Sequence, residues 1–138
     1  LGEVLPLNAG AGGKVLLAAY TREEFDAYIA TEKNLAQGPN VEHDPEALWE
    51  ALGEVRRQNV AWSLQERTED GASIGVPIRD HTGAVVASLT IAGPASRFTK
   101  EAKEQFYKHI VEAGDELSRR LGFVPGVVPA RWARGRAW

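Results

Sequence analysis

The sequence predicts an α/β fold of the α+β type, an antiparallel sheet with flanking helices, on three observations. Three helical patterns with recognisable caps fill residues 14–59. Three runs that alternate bulky apolar with small residues, separated by turn signals, fill residues 60–92. One long helix with an apolar residue at every third or fourth position follows.

The opening stretch, residues 5–20 (LPLNAGAGGKVLLAAY), leads from a proline through a loop with Gly10, Gly12 and Gly13 into a helix over residues 14–19. Glycine lets a backbone approach a neighbour closely, and the first turn of a helix leaves N–H groups pointing outward. The stretch therefore reads equally as a tight corner between helix and sheet or as a loop that receives an anionic group. It is not a triphosphate-binding P-loop. That pattern needs Gly five residues before the Gly-Lys pair and Ser or Thr after it, where Asn8 and Val15 stand.

Thr21 caps the next helix and Glu24 completes a capping box, with Phe25, Tyr28 and Ile29 on one face. A surface loop over residues 33–43 is centred on Gly38-Pro39-Asn40. Asp44 caps the third helix, Pro45 fills its first turn, Leu48, Leu52 and Val55 form its buried stripe and Asn59 stops it. In the strands, Val60, Trp62 and Leu64 oppose Ala61, Ser63 and Gln65. Ala72, Ile74, Val76 and Ile78 oppose Ser73, Gly75, Pro77 and Arg79. Val85, Ala87, Leu89 and Ile91 oppose Val86, Ser88, Thr90 and Ala92. Turns fall at Asp70-Gly71 and over residues 80–83. Pro77 needs a bulge or a position without a ladder partner.

Each strand thus has a bulky side and a small, hydroxyl-bearing side. A solvated face usually carries long charged residues, so the small side points to a lined cavity. The final helix starts at the Thr99 cap. It presents Ala102, Phe106, Ile110, Ala113, Leu117 and Leu121 to the bulky sheet face, expected to be the main core, before Gly122 ends it.

With 138 residues, 43% hydrophobic and 25% charged, the chain is of single-domain size and ordinary globular composition. It has no cysteine, which excludes disulfides and thiolate chemistry and fits a cytoplasmic protein. No apolar run approaches the roughly 20 residues needed to cross a bilayer, so no membrane partner is expected. Of the net charge of −3, residues 123–138 contribute three arginines and no acid, which makes the body more acidic. Direct DNA binding is not expected of such a body, because affinity for DNA comes largely from neutralising phosphates. The unpatterned tail over residues 123–138 is expected to be separate from the domain over residues 1–122.

The order of motifs resembles the effector-binding domain of IclR-type transcriptional regulators. LPLNAGAGGKVLLA resembles that family's glycine loop and helix, with Gly13, Lys14, Leu17 and Ala18 at its core positions. LGEVRRQNVAWSLQE resembles the segment from an Arg-ended helix into a strand closed by Glu66. DGASIGVPIRDHTGAVVASLTIAGPASRFT resembles the signature hairpin, with Pro77, Gly83, Thr90, Gly93, Pro94, Ser96 and Arg97 in place. The likeness covers residues 5–122. It implies a GAF-like domain that takes a small effector, often a carboxylate or aromatic acid, without a cofactor. Such a domain controls DNA binding by a separate helix-turn-helix domain through oligomer geometry, as a dimer or tetramer.

The effector positions implied by the resemblance are Ala11, Gly12, Ser63, Ser73, Thr90 and Ala92. The loop N–H groups of Gly12 and Gly13 are the expected donors, and Lys14 is either a further charge or a solvated side chain. Some members carry Asp, Cys and a second Ser where Ser63, Ser73 and Ala92 stand, so this chain's preference is its own. The family's first strands and linker helix would precede the glycine loop and are not in this sequence. That leaves an expected bare sheet edge, to be met by edge-to-edge association or by the tail. Two other functions compete with the sensor. One is a hydrolase-like enzyme using a serine with His43, His81 or His109, for which no Gly-x-Ser-x-Gly elbow exists. The other is a purely oligomerising module, which would have no cavity over the serines.

Overall fold

In a computed structural model, residues 2–33 and 35–126 are described. They form α1 (Ala11–Ala18), α2 (Arg22–Thr31), α3 (Pro45–Gln58), β1 (Ala61–Leu64), β2 (Gly71–Arg79) and β3 (Val85–Pro94). A 3-10 turn at Ala95–Arg97 then leads to α4 (Lys100–Arg120). The strands make one antiparallel sheet in the order β1-β2-β3. Helix α4 packs on one face; α1 packs on the other and is backed by α3, with α2 beyond.

The helix ends follow from local chemistry. The Thr21 hydroxyl accepts the Glu24 N–H at 3.1 Å and the Glu24 carboxylate accepts the Thr21 N–H at 2.8 Å, a complete capping box. The Asp44 carboxylate accepts the Ala47 N–H at 3.0 Å with Pro45 in the first turn, and Asn59 ends α3 in the left-handed region at φ 54°. The Thr99 hydroxyl caps α4 through the Ala102 N–H at 3.2 Å. Helix α1 begins three residues earlier than the sequence pattern suggests. Its N-cap is Gly10 at φ 78°, a conformation open to glycine, and Gly12 and Gly13 form its first turn rather than a preceding loop.

The sheet has two differently built faces. Toward α4, Val60, Ala72, Ile74, Val76, Phe98 and Ile110 form one buried cluster. Toward α1, a larger cluster gathers Val15, Leu17, Phe25, Leu48, Leu52, Val55 and their neighbours. The main core is therefore not the α4 interface alone, because the two short helices α1 and α3 bring more apolar surface to the opposite face. Val85 belongs to this second cluster and not with Leu89 and Ile91. The ladder pairs Ile78 with Ala87 but Arg79 with Val85, and that irregularity turns Val85 to the α1 side. Pro77 pairs with Ser88 in a stretch of β2 beyond Gly75, which faces the first residue of β1. With no strand on that side, the missing N–H breaks no second ladder.

Helix α4 meets the sheet through a different stripe from the one its bulky residues mark. Its buried positions are Ile110, Gly114 and Ser118, whereas Ala113 is exposed and Leu117 and Leu121 are 40% and 47% exposed. The reason is close approach. A Cβ on Gly114 would lie 2.6 Å from Val76 Cγ2, and the Ser118 hydroxyl accepts the Arg79 N–H at 3.0 Å. Small residues let the helix sit directly over β2, and the bulky ones are left on its flank.

The two sheet edges also differ. Outward carbonyls of β1 are occupied: Trp62 O accepts the Lys14 ammonium at 2.5 Å and Leu64 O accepts the Asn40 side-chain amide at 3.0 Å. The outer edge of β3 has no strand partner among the described residues. Whether the tail meets it lies outside those residues, since the description stops at Gly126. The α4 interface makes a direct prediction. Gly114→Val should cost about 1–3 kcal/mol through overpacking, read as a lower urea midpoint. Ala113→Ser, one residue away on the exposed flank, should stay within about 0.5 kcal/mol.

Candidate functional site

The site is built where the N-terminus of α1 crosses the small face of the sheet. In the middle of that face the expected cavity is filled by backbone. A Cβ on Gly75 would lie 3.1 Å from the Ala11 carbonyl carbon. One on Gly12 would lie 2.8 Å from Thr90 Oγ1 and 3.0 Å from Ser88 Oγ. The small residues there are packing residues, so this part of the glycine stretch is the tight corner.

One register step further along, the face opens. Ser63, Ser73 and Ala92 are aligned partners across β1, β2 and β3, and they line a cavity of ≈ 320 Å³. Gly10 of the α1 cap forms one wall. Arg67, Thr68, Asp70 and Gly71 of the β1–β2 connection form another, with the end of β3 at Gly93 and Pro94. Ser63 and Ser73 are both buried. The glycine stretch is thus both things that the sequence left open, a corner at Gly12 and a cavity wall at Gly10.

Glu66 sets the position of that wall. Gln65 takes a left-handed conformation at φ 55°, which bends the chain after β1 and carries Glu66 beneath α1. There Oε2 accepts the Gly10 N–H at 2.9 Å and Oε1 accepts the Lys14 ammonium at 2.5 Å. Lys14 is therefore neither a ligand charge nor a solvated side chain; its ammonium is divided between Glu66 and Trp62 O. The next amide is also engaged, with Ala11 N–H donating to Ser73 Oγ at 3.1 Å. The loop ahead of α1 is fixed by Tyr28, whose hydroxyl accepts the Leu7 N–H at 2.7 Å, and by Asn8, whose Oδ1 accepts the Ala36 N–H at 3.0 Å. Burial, more than any other influence, pushes the Tyr28 phenol above its usual range and keeps it neutral as an acceptor.

Of the residues named from sequence, the structure brings Ser63, Ser73 and Ala92 together at the cavity. Ala11 stands at its edge through the bond to Ser73. Gly12 and Thr90 are pressed against each other farther along, and Gly13 backs onto Leu7 and Arg67. Sequence reasoning missed Gly10, Arg67, Thr68 and Asp70. Gly10 stands among the glycines of the loop and Asp70 in the Asp70-Gly71 turn, neither of them singled out as a site residue, and Arg67 and Thr68 carry no pattern of their own. His43, His81 and His109 are exposed in three separate places. Among the described residues no cluster of His, Asp and Glu is placed to hold a metal, and no helix is long and apolar enough to cross a membrane.

A larger cavity of ≈ 530 Å³ lies at the opposite end, between the C-terminal end of α3 and the Gly114–Ser118 flank of α4. Its guanidinium Arg79 has a structural task. Nη2 donates to Asn59 Oδ1 at 2.9 Å and Nη1 to Gly83 O at 3.0 Å, which ties the α3 stop to the β2–β3 turn. The row of buried hydroxyls is found only at the smaller cavity, which we take as the candidate site.

A family model described as bacterial transcriptional regulator IclR C-terminal matches residues 1–119. The regulator KipR of Bacillus subtilis is 31% identical over 123 residues, 89% of this chain and 49% of its own, so the chain spans about half the length of that relative. Among solved structures, the Thermotoga maritima IclR superposes with a TM-score of 0.80 at 32% identity, over 89% of this chain and 50% of that one. The inducer-binding domain of a double mutant of Acinetobacter PobR, solved with 3-hydroxybenzoic acid, gives 0.78 at 26% identity, over 86% of this chain and 68% of that one. By sequence and by fold, this chain belongs to the IclR family of bacterial transcriptional regulators and corresponds to their C-terminal region.

Proposed function

We propose that this chain is the effector-sensing part of a cytoplasmic transcriptional regulator, and that the cavity over Ser63, Ser73 and Ala92 receives the effector. One observation carries the reading. Three aligned strand positions, two of them buried hydroxyls, open onto a cavity whose wall is the glycine cap of a helix. Such a site is concave, largely preformed and equipped with a few orienting polar groups, as small-molecule sites are. The effector would be a small carboxylate or aromatic acid, a chemistry in keeping with the 3-hydroxybenzoic acid in the PobR inducer-binding domain. DNA binding would belong to a separate helix-turn-helix domain of the whole protein. The effector would act by shifting the population of subunit arrangements. The hydrolase reading has no support from the relatives, which are regulators, and the separated histidines give it no catalytic pair.

Assembly follows from the edges. Lys14 and Asn40 occupy the outer carbonyls of β1, whereas β3, a ten-residue strand paired with β2 on one side, has no strand partner on its outer side among the described residues. We place the homo-oligomer contact at β3. In sedimentation velocity the chain is expected to run as a dimer or larger; a monomer at micromolar concentration would remove this part of the reading.

Isothermal titration with glyoxylate and 3-hydroxybenzoate is expected to give saturable binding by at least one. Ser73→Ala should weaken it about tenfold, because it removes a polar contact and frees the Ala11 N–H. No binding by the folded chain to any of a panel of such acids would sink the sensor reading. Glu66→Gln should lower stability by about 1–3 kcal/mol, measured by urea unfolding. Much of that loss should be absent when Glu66→Gln is made in a Lys14→Met background, since both act on one pair.

A further inference from the structure

We propose that Arg67 is the residue that selects a carboxylate-bearing ligand for the cavity, by holding an uncompensated positive charge at its wall. The assignment rests on the sensor reading of that cavity and adds a determinant that the motif resemblance does not include.

The placement of Arg67 is unusual for an exposed arginine. Its side chain packs against the turn that starts α1. A Cβ on Gly10 would collide with Arg67 Nε, and one on Gly13 would lie 3.2 Å from Nη2. Nη2 also donates to Pro6 O at 2.9 Å, so the head group is held and not merely adjacent. Arg67 is also among the residues that line the cavity, with Ser63, Ser73 and the Gly10 against which its Nε packs.

Charge bookkeeping at this spot leaves a gap. The amino end of a helix carries a partial positive charge and favours anions, and a cation held there is disfavoured unless an anion accompanies it. The first turn of α1 contains no acid. Two cations, Lys14 and Arg67, sit against it, but the single carboxylate bonded there, Glu66, is taken by Lys14 and the Gly10 N–H. Among the described residues Arg67 has no carboxylate within ion-pair distance. Asp70 also lines the cavity, without an ion pair to Arg67, and lies in the connection that leads into β2. A carboxylate in the cavity would supply the missing charge through the planar fork that arginine presents, while the serine hydroxyls orient the rest of the ligand. A neutral isostere would not.

The test is NMR titration of the full chain at constant ionic strength, with acetate against acetamide and 3-hydroxybenzoate against 3-hydroxybenzamide. The acids are expected to move the Gly10 and Ser73 amides and the Arg67 Nε–H saturably, and the amides are not. Arg67→Gln keeps a donor for Pro6 O but no charge, and should weaken acid binding about tenfold or more, as loss of a charge-assisted bond does. Arg67→Lys should recover most of that loss, and Asp70→Asn should tighten acid binding, a change of opposite sign that a purely structural arginine would not produce. Equal binding of acid and amide, or undiminished acid binding by Arg67→Gln, would overturn the assignment and leave the cavity as a sensor site. If none of the four compounds moves Gly10 or Ser73, the sensor reading falls and the assignment with it.

Discussion

The carboxylate of Glu66 is the contact on which the rest of this architecture depends. It is a buried acid, and a buried charge is tolerated only when paired and hydrogen-bonded. Its two oxygens meet that condition by reaching the two groups that define the start of α1, the Gly10 N–H and the Lys14 ammonium. The pairing fixes the height of α1 above the sheet. That height decides whether the small face is a corner or a cavity. At Gly12 it brings backbone against Ser88 and Thr90; one step along, at Gly10, it leaves room over Ser63 and Ser73. Lys14 then continues to Trp62 O, so the same knot also occupies an outward carbonyl of β1.

A second knot secures the opposite end of the sheet by different means. The backbone and guanidinium of Arg79 connect Ser118 of α4, Asn59 at the end of α3 and Gly83 of the β2–β3 turn. Burial lowers the basicity of this guanidinium below its usual range. Between the two knots, β2 is the shared wall. Gly75 admits α1 on one face and Val76 receives Gly114 of α4 on the other. Two consecutive residues of one strand thus set the distance of a helix on each side, which is why neither face tolerates added volume.

Much of the fold was legible in the sequence because it is written locally. Thr21 with Glu24, Asp44 with Pro45, and Thr99 each cap a helix with groups a few residues apart, and those readings match the structure. What escaped is determined by partners distant in the chain. A pattern search weights bulk, so it chose Leu117 and Leu121 for the α4 interface, whereas the sheet accepts Gly114 and Ser118. Alternation carried Val85 onto the wrong face because the ladder irregularity near Arg79 leaves no mark in composition. At the site, Ser63, Ser73 and Ala92 were accessible through strand alternation and a motif likeness together. Arg67 and Asp70 were not, since a turn residue acquires meaning only when the turn folds back over Gly10.

The position of the cavity relative to the open edge bears on how sensing could reach assembly. Ala92 lines the cavity, and it belongs to β3, whose outer edge has no strand partner among the described residues. The two neighbouring positions that contact α1 from the same strand, Ser88 and Thr90, are pressed against Gly12. A ligand that draws the α1 cap and the Ser63–Ser73–Ala92 row toward each other therefore acts on β3 through both a side-chain position and a helix contact. Coupling of this kind needs no long pathway. If the cavity takes the effector and the assembly contact lies at β3 as proposed, one element would touch both, and a difference in affinity between two positions of β3 would appear as a difference in association. With Trp62 O and Leu64 O already occupied, the outer side of β3 is the margin left without a strand partner among the described residues, and β3 is the strand that brings Ala92 to the cavity.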